Sequence, residues 1–65
     1  MKALCIGLGS MGKRRVRNLK ALGVENIIGF DLRADRRQEA ESKYGIKTFD
    51  NFDAALAAGP EAVLI

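Results

Sequence analysis

The sequence predicts an α/β fold with a parallel sheet, and three observations predict it. Short apolar runs recur without polar alternation, helix-forming segments separate them, and the first run stops at a turn containing three glycines. Runs of that kind suit strands covered on both faces, and strands that alternate with helices pair in parallel through right-handed crossovers.

Ala3 to Ile6 is the first such run. In the segment after it, Gly12, Val16, Leu19 and Gly23 fall at i, i+4, i+7 and i+11, one face of a helix, with Gly23 as its stop. Asn26 to Phe30 ("NIIGF") is the second run. Ala34 to Tyr44 ("ADRRQEAESKY") is rich in helix formers, carries a Glu39 and Lys43 pair at i, i+4 and ends at Gly45, so a second, largely solvated helix is expected. Lys47 to Phe49 reads as a brief third strand. Asp50 is placed to cap the following helix, with Asp53 three residues on as in a capping box and Phe49 and Ala54 as a hydrophobic staple. Gly59 and Pro60 end that helix, and Ala62 to Ile65 ("AVLI") is a fourth strand expected to be buried like the first two. The predicted order is β-α-β-α-β-α-β.

At 65 residues the chain is below the usual domain size, and a chain of this length buries only about 60% of the surface it exposes when unfolded. One domain at most is expected. Because the chain stops at or inside the fourth strand, residues 1–65 are expected to be the N-terminal part of a larger domain, stable with further chain or by self-association. A composition of 48% hydrophobic and 29% charged residues excludes disordered and collagen-like classes. No apolar run approaches the roughly 18 to 20 residues of a membrane span, and Gly7 comes too soon for a signal-peptide core, so no membrane partner and a cytoplasmic location are expected. The single Cys5 has no second cysteine or histidine to join in a disulfide, a metal site or a nucleophilic pair, and reads as a small buried hydrophobe.

The turn "GLGSMG" at residues 7–12 follows a strand and opens a helix, the context that the dinucleotide-binding fingerprint requires. In that reading Gly7 turns the chain out of the strand, Gly9 lets the backbone approach a pyrophosphate, and Gly12 brings the helix close to the sheet. The helix N-terminus then offers free N–H groups to the phosphates. A bare glycine pattern is weak, and the second half of the signal is Asp31, 19 residues after Gly12 at the close of the second strand. An acid there accepts hydrogen bonds from the adenosine ribose hydroxyls. These features together predict the first half of a Rossmann-type doubly wound sheet that binds NAD. Asp31 would repel a 2′-phosphate, whereas Arg33 and Arg36 are near enough in sequence to turn toward one, which keeps NADP open. Arg37 reads as a solvated position.

Five of the eleven basic residues lie between Lys13 and Lys20, although the net charge is only +3. No aromatic residue interleaves them, so a solvated helix face is preferred over a nucleic-acid surface. Cations in the first helical turn oppose the helix dipole unless an anion is bound, and Lys13 and Arg14 are the residues expected to feel one.

The segments "GLGSMGKRRVRNLKALG", "GFDLR" and "KYGIKTFDNFDAALAAGPEAVLI" resemble the N-terminal half of the nicotinamide-binding domain in the glucose-fructose oxidoreductase, inositol dehydrogenase and rhizopine catabolism family. The likeness runs the whole chain, and its least generic part is the stretch from Tyr44 onward. It implies an oxidoreductase passing hydride between NAD(P) and a sugar, cyclitol or related alcohol, a homo-oligomer joined through a C-terminal substrate domain. It also implies cofactor contacts at Gly7, Gly9, Ser10, Met11, Gly12 and Asp31, with Arg33 and Arg36 toward the adenine end. The catalytic lysine of the family belongs to a Glu-Lys-Pro motif that residues 1–65 do not contain, so no catalytic residue is assigned. Arg15 departs from relatives that carry histidine there. The β-hydroxyacid dehydrogenases share "GLGxMG" and a following Asn-Leu, met here as Asn18 and Leu19, but differ over "KRRV" and after Asp31. A non-catalytic NAD-sensing domain is the third reading.

Overall fold

A computed structural model describes all residues, 1–65. The elements are β1 (Lys2–Ile6), α1 (Ser10–Ala21), β2 (Asn26–Phe30), α2 (Ala34–Tyr44), β3 (Lys47–Phe49), α3 (Phe52–Ala57) and β4 (Ala62–Leu64). All strands are parallel, in the spatial order β3-β2-β1-β4. That is the order of the first four strands of a doubly wound, Rossmann-like sheet.

Topology dictates which face each helix covers. The chain steps from β1 to β2 to β3 in one direction, so α1 and α2 share a face, whereas the return from β3 past β1 to β4 carries α3 to the other. The strand residues divide accordingly, because successive side chains point to opposite faces. Cys5 and Ile27 join Leu8, Val16, Ala40 and Ile46 in the core under α1 and α2. Leu4 and Ile28, their sequence neighbours, pack with Ala55 under α3. Burial raises the Cys5 thiol above its ordinary pKa, with Arg15 opposing, so the thiol is an inert part of the packing.

The α1 end is closed as its sequence predicts: Val24 N–H donates to Leu19 O and Gly23 N–H to Lys20 O, both at 3.0 Å. This is the paired bonding of a Schellman motif, and Leu19 and Val24 each pack against the core. Helix α2 buries only Ala40 fully, with Arg36, Arg37 and Tyr44 half-buried and the rest exposed, and Gly45 N–H donates to Glu41 O at its end.

Two expectations are corrected. The cap of α3 is Asn51, not Asp50, and its side chain accepts from Ala54 N–H at 3.0 Å. The chain needs one more extended residue after β3 before it can turn, so the third residue of the helix is Ala54 and the reciprocal Asp53 contact of a capping box does not form. Strand β4 is not buried like β1 and β2: it pairs only with β1, Val63 is 47% exposed, and Ile65 lies beyond the strand. Its start is instead fastened by Lys2, whose carbonyl accepts from Glu61 N–H at 2.8 Å and whose ammonium donates to Ala58 O at 2.6 Å.

Gly29 inside β2 answers a packing demand. An added Cβ would lie 2.8 Å from Cδ2 and 3.0 Å from Cδ1 of Leu8, which sits fully buried on top of it. A glycine within a strand marks such a close approach. Gly29→Ala is therefore expected to lose about 1–3 kcal/mol of stability by overpacking, read as a lower denaturant midpoint; an unchanged midpoint would contradict this packing.

Candidate functional site

The site begins where β1 ends. Gly7 N–H donates to Phe30 O at 2.8 Å, and Gly7 then takes φ +89°, a conformation that favours glycine, so the chain leaves the sheet at once. Leu8 drops into the core, Gly9 precedes α1, and Gly12 lies against the turn: a Cβ on Gly12 would be 1.7 Å from Gly7 O. No side chain fits there, so Gly12 sets how closely α1 approaches β1.

The first turn of α1 has no side-chain cap and no acidic residue. Its first backbone bond is Lys13 N–H to Gly9 O at 2.9 Å, and the N–H groups of Ser10, Met11 and Gly12 have no acceptor within the protein. Donors of this kind at a helix N-terminus are suited to an anion. They border a cavity of about 360 Å³ lined by Gly7, Gly9, Ser10, Met11 and Gly12 together with Ile6, Arg15 and Ile65. The five loop residues predicted from the sequence are thus brought together.

Arg15 is the cation of this cavity. Lys13 is bound to Glu39, whose carboxyl its ammonium holds below the usual range, and Arg14 faces the groove between α1 and α2. The signal for Arg15 was its position one turn after Met11 and Gly12, on the side of α1 that the glycine loop faces.

Asp31 stands directly after β2 and is only 7% exposed. Its Oδ2 accepts from Leu8 N–H at 2.8 Å and its Oδ1 from Arg33 N–H at 2.9 Å. Each carboxylate oxygen keeps a further acceptor position. Burial works against the charged form, but the N–H groups of Arg33 and Leu8, with the nearby Arg36 guanidinium, outweigh it and hold the carboxyl below its ordinary range.

The three arginines of the following segment separate. Arg33 turns away to a two-pronged contact with Asp35, at 3.1 and 2.8 Å. Arg36 stays at the site, its Nη1 3.7 Å from Asp31 Oδ2 and its guanidinium beside Gly9. Arg37 is not merely solvated: it is half-buried and donates to the backbone oxygen of Asp31 at 2.8 Å. Sequence spacing alone does not reveal that contact, because the carbonyl becomes available only where β2 runs out.

No family model and no solved structure matches the chain. No helix is long and apolar enough to cross a membrane.

The Asp31 arrangement has a pH signature. Since the folded pKa lies below the unfolded value of about 3.9, its stabilisation is complete above that value and is lost as pH falls through the folded one. Asp31→Asn should cost about 1–3 kcal/mol at pH 6, with the gap to the parent closing toward pH 2 in urea titrations. A gap that stayed constant down to pH 2 would contradict the assignment.

Proposed function

We propose that the chain is the dinucleotide-binding part of an oxidoreductase that passes hydride between NAD(P) and a sugar, cyclitol or related alcohol. The observation that carries the binding half is the uncapped start of α1, three unpaired N–H groups bordering a cavity whose one cationic lining residue is Arg15. A pyrophosphate supplies the acceptors those groups lack and reverses the unfavourable field of the basic helix. The substrate class rests on the family resemblance of the sequence.

The residues fit this cofactor. Gly9 has an ordinary φ of −71°, and beside its missing side chain lies only the flexible end of Arg36. Gly9 is thus not required by the turn itself, as Gly7 and Gly12 are, and what it offers is room for backbone contact. Ser10, Met11 and Gly12 would hold the pyrophosphate, Arg15 would add positive charge, and Asp31 would accept from ribose hydroxyls through its remaining lone pairs. When bound, the nicotinamide supplies the hydride acceptor. The part of residues 1–65 is to bind and orient it, and none of them is assigned to moving the substrate proton.

Gly9→Val tests the reading. The φ suits an L-residue and only the end of Arg36 must shift, so circular dichroism should be unchanged while calorimetric NAD binding falls by tenfold or more. Normal NAD affinity in this variant would exclude the glycine loop as the site.

A further inference from the structure

Helix α1 carries a ridge of positive charge that the fold leaves unmatched. Arg14, Arg17 and Lys20 follow one another at three-residue steps, so they are neighbours on the helix surface, about 9 Å from first to last at the α-helical rise per residue. All three are exposed, none enters an ion pair, and α1 contains no acidic residue. Helix α2 does not answer this charge. Its carboxylates are already engaged, Asp35 by Arg33, Glu39 by Lys13 and Lys43, and Glu41 by Thr48. Between the two helices lies a cavity of about 290 Å³, bordered by Arg14 and Arg17 on one side and by Lys43 and Tyr44 on the other. Arg15 belongs to the glycine cavity instead, and the two cavities share only Ser10.

The form of this surface says what fits it. Cations strung along a helix do not converge on one point, so a small anion meets one or two of them and an extended polyanion meets all. Single-stranded nucleic acid also needs aromatic faces for its bases, and Tyr44, the aromatic residue of the groove, is half-buried against the core. Carboxylates repeated every three or four residues along a helix have the spacing of these cations, and a groove between two helices receives the ridge of a third. We propose that the α1–α2 face docks an acidic helical segment of a partner protein, with Arg14, Arg17 and Lys20 against its carboxylates and Lys43 adding charge across the groove. The contact is mainly electrostatic, so it forms fast and weakens with salt. It is independent of the dinucleotide reading.

The test uses the whole chain and a blocked, alanine-based helical peptide with glutamates on three successive turns of one face, read by fluorescence anisotropy of the labelled peptide and by ¹⁵N amide shifts. A peptide of the same composition with its glutamates dispersed around the helix, and an oligothymidylate of equal net charge, are the comparisons. The one-face peptide should bind saturably, shift the amides of Arg14, Arg17 and Lys20, and lose affinity as salt rises, with the other two ligands at least fivefold weaker. Arg17→Glu should weaken the one-face peptide by tenfold or more, Arg17→Gln by less, and exchange of the peptide's central glutamate for lysine should restore binding to Arg17→Glu. Lys47→Ala removes an exposed cation from β3 and should change nothing. Equal binding of the two peptides would reduce the ridge to diffuse attraction, and tighter binding of the oligothymidylate would make it a nucleic-acid surface. Either result overturns the proposal, as would an unchanged affinity in Arg17→Glu, a loss that the exchanged peptide does not restore, or no saturable binding at all.

Discussion

The hydrogen bond from Leu8 N–H to the Asp31 carboxylate is the interaction on which the rest of the site depends. It joins the turn after β1 to the end of β2, beside the Gly7 to Phe30 bond that extends the sheet, while Asp31 N–H reaches Phe49 O at the end of β3. The ends of three strands are thus tied in one row. With Leu8 N–H held outward, the Leu8 side chain points down into the core, and Gly29 leaves the room for it. Once Leu8 is placed, the chain has one glycine left before α1 begins, and Gly12 fixes how near α1 comes to rest.

This makes Asp31 a structural residue before it is a binding one. A buried carboxylate is costly unless its charge is met by donors. Here two backbone N–H groups and a nearby guanidinium meet it, and the spare lone pairs are what remain for a ligand. The proposed ribose contact and the fold therefore draw on one group. The positive charge around it is distributed by partner: Glu39 engages Lys13 and Lys43, Asp35 engages Arg33, and Arg15 is left at the glycine cavity without an ion-pair partner.

Much of the fold was legible in the sequence because it rests on local signals. The extents of β2, α2 and β3 coincide with the predicted segments, since apolar runs, helix formers and Gly45 act within a few residues. The glycine spacing and Asp31 were legible for the same reason, with their placement together following from the strand order. What was not legible comes from contacts between distant segments. Leu8 looks like a loop residue until Gly29 is seen beneath it, and Arg37 looks solvated until the Asp31 carbonyl is found beside it. Arg15 separates from Lys13 and Arg14 only when Glu39 on α2 and the cavity at the loop are both in place. The exposure of β4 depends on its having one strand neighbour, which its own apolar sequence does not reveal.

The central claim is that the start of α1 and the Leu8–Asp31 junction together receive a dinucleotide. An amide-resolved NMR titration of the ¹⁵N-labelled chain with NAD tests it most directly. The account predicts saturable shifts at the amides of Leu8, Gly9, Ser10, Met11 and Gly12 and at Asp31 and Arg33, with those of Arg17, Lys43 and Tyr44 in the α1–α2 groove unmoved. Shifts confined to that groove, or none at millimolar NAD, would contradict it.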